Sequence, residues 1–167
     1  IVKNDTTAAV VEVNSETDFV AKNADFQAYV EAVATQAVES DAADMDAFLA
    51  ESWNLDSSKT VKEALVEKIA VIGENLSIRR FEKVVASNGC VVSYIHGGGR
   101  IGVIVEADTD VVNDDIKEAM TNIAMQVAAL NPEYISRDEI SADELAKMRE
   151  ITIDSALNDT FSLADIK

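Results

Sequence analysis

Ala8-Ala9-Val10-Val11-Glu12-Val13 is apolar and rich in β-branched side chains, the composition of a buried strand. The pattern returns as Ile104-Val105-Glu106-Ala107, which lies over Val10–Val13 at an offset of 94. A helical stripe repeats as well. Phe26, Val30, Val33, Ala34 and Ala37 describe one face of a helix, and Ile116, Met120, Ile123, Ala124 and Val127 match them at an offset of 90, with Gln36 over Gln126. Both halves therefore read as hairpin, helix, helix. The first also has a closing strand, Leu76–Ser87, and no counterpart is expected before Lys167, so the second unit reads as incomplete and the native chain is expected to continue. The fold expected is α+β, with two related subdomains (1–89 and 90–167). Each would pack helices on one face of a small antiparallel sheet, and the halves would meet near residues 88 to 92.

The two offsets differ by four, so the first unit carries four more residues between strand and helix than the second. They fall in the stretch holding Thr17-Asp18-Phe19-Val20. A fold that closes once without them does not need them, and loops on a rigid scaffold carry function.

Around these elements the remaining chain reads as follows. Two short strands flank the turn Asn4-Asp5-Thr6, and Asp25 caps a helix reaching Glu39. A short helix runs from Met45 to about Ser52. Ser57 or Ser58 caps the next, Thr60–Ile72, which Gly73 ends. Asn88-Gly89 is the strongest short hairpin signal, joining Leu76–Ser87 to Cys90–His96. Gly97-Gly98-Gly99 then turns the chain into Arg100–Ala107. A helix from about Val111 to Leu130 stops at Asn131-Pro132, and Ser141 with Glu144 makes a capping box for a last helix.

Composition narrows the function. The 167 residues hold 48% hydrophobic and 27% charged side chains, a folding composition. The net charge of −17 repels nucleic acid and anionic membrane surfaces. No apolar run approaches the ~20 residues of a membrane span, no signal-peptide pattern opens the sequence as given, and a cytoplasmic protein is expected. The chain begins at Ile1 rather than Met, so a fragment is expected. One cysteine (Cys90) and one histidine (His96) exclude a disulfide framework and a Cys/His zinc cluster. No resident metal or cofactor is expected.

Each candidate residue has a structural reading beside a functional one. Asp18 serves as a helix N-cap and Phe19 as a core or staple residue, or the pair forms a protruding anchor for a partner's pocket. His96 is an exposed turn residue, or a ligand or base. The triple glycine is followed by a strand, so it is not a phosphate loop. Arg79-Arg80 reads as one exposed and one packed side chain. The acidic pairs Asp114-Asp115 and Asp143-Glu144 suit first helical turns.

At Glu12-Val13-Asn14-Ser15-Glu16-Thr17-Asp18-Phe19-Val20-Ala21-Lys22-Asn23 the sequence resembles the bacterial elongation factor Ts family. Thr17–Lys22 corresponds to that family's signature. Ile72-Gly73-Glu74-Asn75-Leu76-Ser77-Ile78-Arg79-Arg80 and Ser93-Tyr94-Ile95-His96-Gly97…Arg100-Ile101-Gly102-Val103 agree in order and spacing, as does Asn131-Pro132-Glu133-Tyr134-Ile135. The match weakens from about Asp154.

The resemblance implies a guanine nucleotide exchange factor for elongation factor Tu, which does no bond chemistry and is not an enzyme. It carries partner-binding roles onto Thr17, Asp18, Phe19, Val20, Ile72 and His96, with the Asp-Phe pair intruding beside the nucleotide and magnesium site of the GTPase. A homodimer or a 2:2 complex stays open. Ser15 stands where cysteine is common, and the glycine turn after His96 is longer than the family's, which affects the reach of His96. The family's small amino-terminal helical domain, similar to ubiquitin-associated domains, is expected to be missing before Ile1, and weaker exchange is expected with it. Two other classes remain: a hydrolase using Asp18 and His96, and a structural dimerisation module.

Overall fold

In the computed structural model, which describes residues 1–158, the Ala8–Val13 run lies in β2 (Thr7–Asn14), the middle strand of an antiparallel sheet of order β1-β2-β5. Its neighbours are β1 (Val2–Lys3) and β5 (Ser77–Val85). Asn4 closes the β1–β2 turn: its Oδ1 accepts the N–H groups of Thr6 at 2.9 Å and Thr7 at 2.8 Å. Alternation along β2 then sorts the side chains. Ala9, Val11 and Val13 face one way and Ala8 the other.

The Ala9 side is covered by helices. α1 (Asp18–Ala21) precedes α2 (Ala24–Glu39), and α3 (Met45–Ala50) and α4 (Val61–Ile72) complete the layer with a two-stranded ribbon, β3 (Ser52–Trp53) and β4 (Asp56–Thr60). The core there joins Tyr29, Val33, Phe48, Trp53, Val61 and Ile78. Phe48 has no exposed surface, and its ring centroid lies 4.7 Å from that of Phe81. Buried Gln36 is satisfied from both ends. Its Nε2 donates to Glu51 Oε2 at 3.0 Å, and its Oε1 accepts the Asn54 N–H at 2.9 Å.

The caps of α2 and α4 differ from the sequence expectation. α2 is capped by Asn23, whose Oδ1 accepts the N–H groups of Asp25 and Phe26, so Asp25 sits in the first turn. Ser57 and Ser58 lie within β4, and Thr60 caps α4, closing a capping box with Glu63. The ribbon β3–β4 was not expected, because Leu55 and the serines around it carry no alternating pattern.

The second sheet is the hairpin β6 (Gly89–His96) and β7 (Ile101–Asp108), paired in register from Gly89↔Asp108 to His96↔Ile101. Asn88-Gly89 therefore does not close a hairpin between the strands it separates. β5 pairs with β2, and the chain crosses at Asn88-Gly89 into the other sheet. Gly89 is needed for a different reason. Its φ is +116°, and a Cβ there would stand 2.0 Å from the Ala107 carbonyl oxygen.

Ala8, Ala86 and Val91 join the two sheets face to face, with Val84 and Ile104 packed beside them. Across the hairpin, Cys90, Val92 and Met120 pack β6 against α5 (Asp114–Leu130), with Val105, Ala107 and Ile116 around them. Residues 1–130 thus form one α+β unit with four layers: helices, sheet, sheet, helix. The repeat is visible in this arrangement, since β2 with α2 and β7 with α5 present equivalent strand–helix faces.

Residues 131–158 belong to a separate unit. It holds a 3-10 turn (Arg137–Glu139) and α6 (Ala142–Asn158). Ser141 Oγ accepts the Glu144 N–H at 3.3 Å, one half of the expected capping box. The expectation that no strand closes this unit before Lys167 falls partly on residues 159–167, which lie outside the described residues. Among the described residues no helix is long and apolar enough to cross a membrane.

Candidate functional site

Nine residues separate β2 from α2, and five separate β7 from α5. The difference is α1, a single helical turn of four residues, Asp18–Ala21. The four-residue excess in the sequence is therefore a built element. Thr17, not Asp18, is its N-cap: the Thr17 hydroxyl accepts the Val20 N–H at 3.4 Å. Asp18 occupies the first helical position and pairs with Lys22 one turn on, at 3.3 Å.

Phe19 points away from the core. It is 83% exposed, so the core or staple role does not hold. Other large apolar side chains are comparably open, Leu55, Val71 and Ile135 among them, but among the described residues Phe19 is the aromatic ring so exposed. Val20 is half-buried behind it.

The turn is tied to the end of α4. Gly73 ends that helix in a left-handed conformation (φ +79°), and its N–H donates to the Ile69 carbonyl at 2.8 Å. The chain then presents Glu74. One of its carboxylate oxygens accepts the N–H groups of Glu16 at 3.2 Å and Thr17 at 3.0 Å, and the other accepts the Thr17 hydroxyl at 2.5 Å. Ile72, half-buried at the last position of α4, is thus brought close in the chain to the residue that holds α1. Sequence reasoning missed Glu74 as a site residue. Its only signal was its place inside the Ile72–Arg80 stretch.

An open groove runs beside α1, lined by Asp18 and Lys22 together with Ile95 and Gly97–Arg100 at the tip of the β6–β7 hairpin. His96 is exposed at that tip but does not line the groove. Its Nδ1 shares a hydrogen bond of 2.9 Å with the Tyr94 hydroxyl two residues back on the same face of β6. Asp18 and His96 therefore have separate partners, and no bond joins them as an acid–base pair.

Glu12, also on the groove, carries the most perturbed carboxylate there. Arg79 Nη1 donates to its Oε1 at 2.9 Å and Arg80 Nε to its Oε2 at 2.6 Å. Hydrogen bonds from Arg79, Asn14 and Arg80 hold its pKa at about 2. Both arginines are exposed, contrary to the expectation of one packed side chain. A register shift between Glu12 and Val13 pairs Arg80 with Glu12 and Ile78 with Val13, leaving Arg79 as the extra residue of a bulge, so both guanidinium groups reach one carboxylate. Among the described residues no group of three or more His, Cys, Asp or Glu side chains is placed to hold a metal ion.

A family profile described as "Elongation factor TS" matches residues 16–161. The chain is 47% identical over 156 residues to elongation factor Ts of Clostridioides difficile (strain 630), covering 93% of this chain and 50% of that protein. It is 47% identical over 150 residues to elongation factor Ts of Halothermothrix orenii, covering 90% and 50%, and 44% identical over 155 residues to that of Trichlorobacter lovleyi, again 90% and 50%. The chain spans about half the length of the curated relatives it matches.

Proposed function

The chain belongs to the elongation factor Ts family, and from that premise we propose that it binds elongation factor Tu in the cytoplasm and promotes release of GDP. The observation that carries this reading is the exposed Phe19 ring on an anchored helical turn, 83% exposed and with no role in its own core.

The mechanism is differential binding. An exchange factor makes and breaks no covalent bond. It stabilises the nucleotide-free GTPase more than the loaded one, and by linkage GDP and the factor weaken each other's binding equally. Phe19 enters an apolar seam of the GTPase near the elements that hold magnesium and phosphate. Those elements shift and lose their contacts to the ion and the nucleotide. Asp18 offers a carboxylate that fixes the wedge, Thr17 and Val20 seat the turn behind it, and Ile72 and His96 contact the partner on either side. Because the field of −17 charges repels polyanions, recognition is protein to protein.

The test is release of a fluorescent GDP analogue from elongation factor Tu, followed with increasing amounts of this chain. Release that accelerates with added chain supports the function. A rate unchanged by a folded chain in excess refutes it.

A further inference from the structure

We propose that Glu74 is the positioning residue for Phe19: its carboxylate anchors the start of α1 and so fixes where the aromatic tip stands. The inference rests on the exchange function proposed above and deepens it.

A single helical turn of four residues does not hold itself, because nucleating a helix fixes several residues for one hydrogen bond. None of its residues is fully buried and only Val20 is half-buried, so packing holds it weakly. Two other elements bind it: Gln27 of α2 donates its Nε2 to the Ala21 carbonyl at 3.3 Å at the far end, and Glu74 takes the start. Glu74 takes three donors from two consecutive residues, the N–H groups of Glu16 and Thr17 and the Thr17 hydroxyl. Bonds to a charged acceptor are the stronger kind. The Thr17 hydroxyl donates to Glu74 and accepts from the Val20 N–H, so one oxygen relays the anchor into the turn that carries Phe19.

Glu74 is otherwise uncommitted. Among the described residues its carboxylate makes no ion pair with a lysine or arginine, although Glu12, Asp18 and Glu67 each do. All its hydrogen bonds go to Glu16 and Thr17. Gly73 makes this reach available by turning the chain at the end of α4. The internal repeat supplies a control, since the five-residue link between β7 and α5 carries no such turn.

The experiment combines hydrogen exchange with a double-mutant cycle on the 167-residue chain. Glu74→Ala should speed amide exchange of Val20–Asn23 about 10-fold or more, leaving β2 and α2 amides unchanged. Unchanged exchange at Val20–Asn23 overturns the anchor. In GDP release, Glu74→Ala should lower the accelerated rate about 10-fold and Glu74→Gln, which keeps one acceptor oxygen, about 2- to 3-fold. In a Phe19→Ala background, Glu74→Ala should have no further effect. Losses that add in the double variant overturn the positioning role, since a purely structural part would weaken binding without passing through Phe19. If Phe19→Ala alone leaves release unchanged, the function proposed for the tip fails, and with it the role of Glu74 in exchange, while the exchange data still decide whether Glu74 holds α1.

Discussion

Replacing Phe19 by alanine separates stability from function. In the free chain the ring is 83% exposed, so truncation removes almost no core contact, and stability should change by less than about 0.5 kcal/mol. The same exposure sets what a partner gains. Full burial of a Phe side chain contributes roughly 1.5–3 kcal/mol. Scaled by the 83% still open, the ring offers roughly 1.2–2.5 kcal/mol, a factor of about 8–70 in an equilibrium or a rate. The assay is stopped-flow release of fluorescent GDP from elongation factor Tu at saturating chain, with the circular dichroism melting curve as the folding control. An accelerated rate that drops by that factor at unchanged melting temperature agrees with a wedge. A rate within twofold of the unsubstituted chain, with the fold intact, refutes the reasoning.

Asp18→Ala and His96→Ala should each slow release less than Phe19→Ala does, because both are exposed polar side chains with small partners of their own, Lys22 and Tyr94; a loss from either that exceeds the Phe19 effect contradicts this order in the same assay. Gly89→Ala should destabilise the chain by more than about 2 kcal/mol in urea unfolding, since a Cβ would meet the Ala107 carbonyl at 2.0 Å in a left-handed conformation, and a change below about 0.5 kcal/mol would show that the backbone relaxes freely there. The Glu12 carboxyl should titrate near pH 2 by NMR, against the usual 4.5. Its folded pKa lies below the unfolded one, so its contribution to stability is complete above about pH 4.5 and disappears as the pH falls toward 2. Glu12→Gln should flatten the stability profile across that window, and a Glu12 midpoint above 4 would show that the arginines do not hold it.

The main elements were legible because hydrophobic period and repeat agreed. Ala8–Val13 and Ile104–Ala107 are strands, and the stripes beginning at Phe26 and Ile116 are helices, as their spacing required. The misreadings arose where a local signal met a distant partner. Asn88-Gly89 has hairpin chemistry, but β5 pairs along its length with β2, so the dipeptide serves a crossing between sheets. Arg79-Arg80 reads as alternation until the bulge opposite Glu12 turns both outward. Capping is a competition among adjacent Ser, Thr, Asn and Asp, and residue type alone did not separate Asn23 from Asp25 or Thr60 from Ser57 and Ser58. At the candidate site the difference between two sequence offsets marks the place of α1. It could not show that Phe19 faces solvent, nor that Glu74, 57 positions beyond Thr17, holds the turn.

In the proposed function this chain and GDP oppose each other on one GTPase. The most direct measurement is the affinity of the chain for elongation factor Tu, taken by calorimetry with the GTPase nucleotide-free and again with saturating GDP. Binding that weakens by at least about 10-fold when GDP is present is the expected result, and the same factor must appear in the weakening of GDP by the chain. Equal affinity in the two states would contradict the account, because a ligand that binds both forms equally shifts nothing.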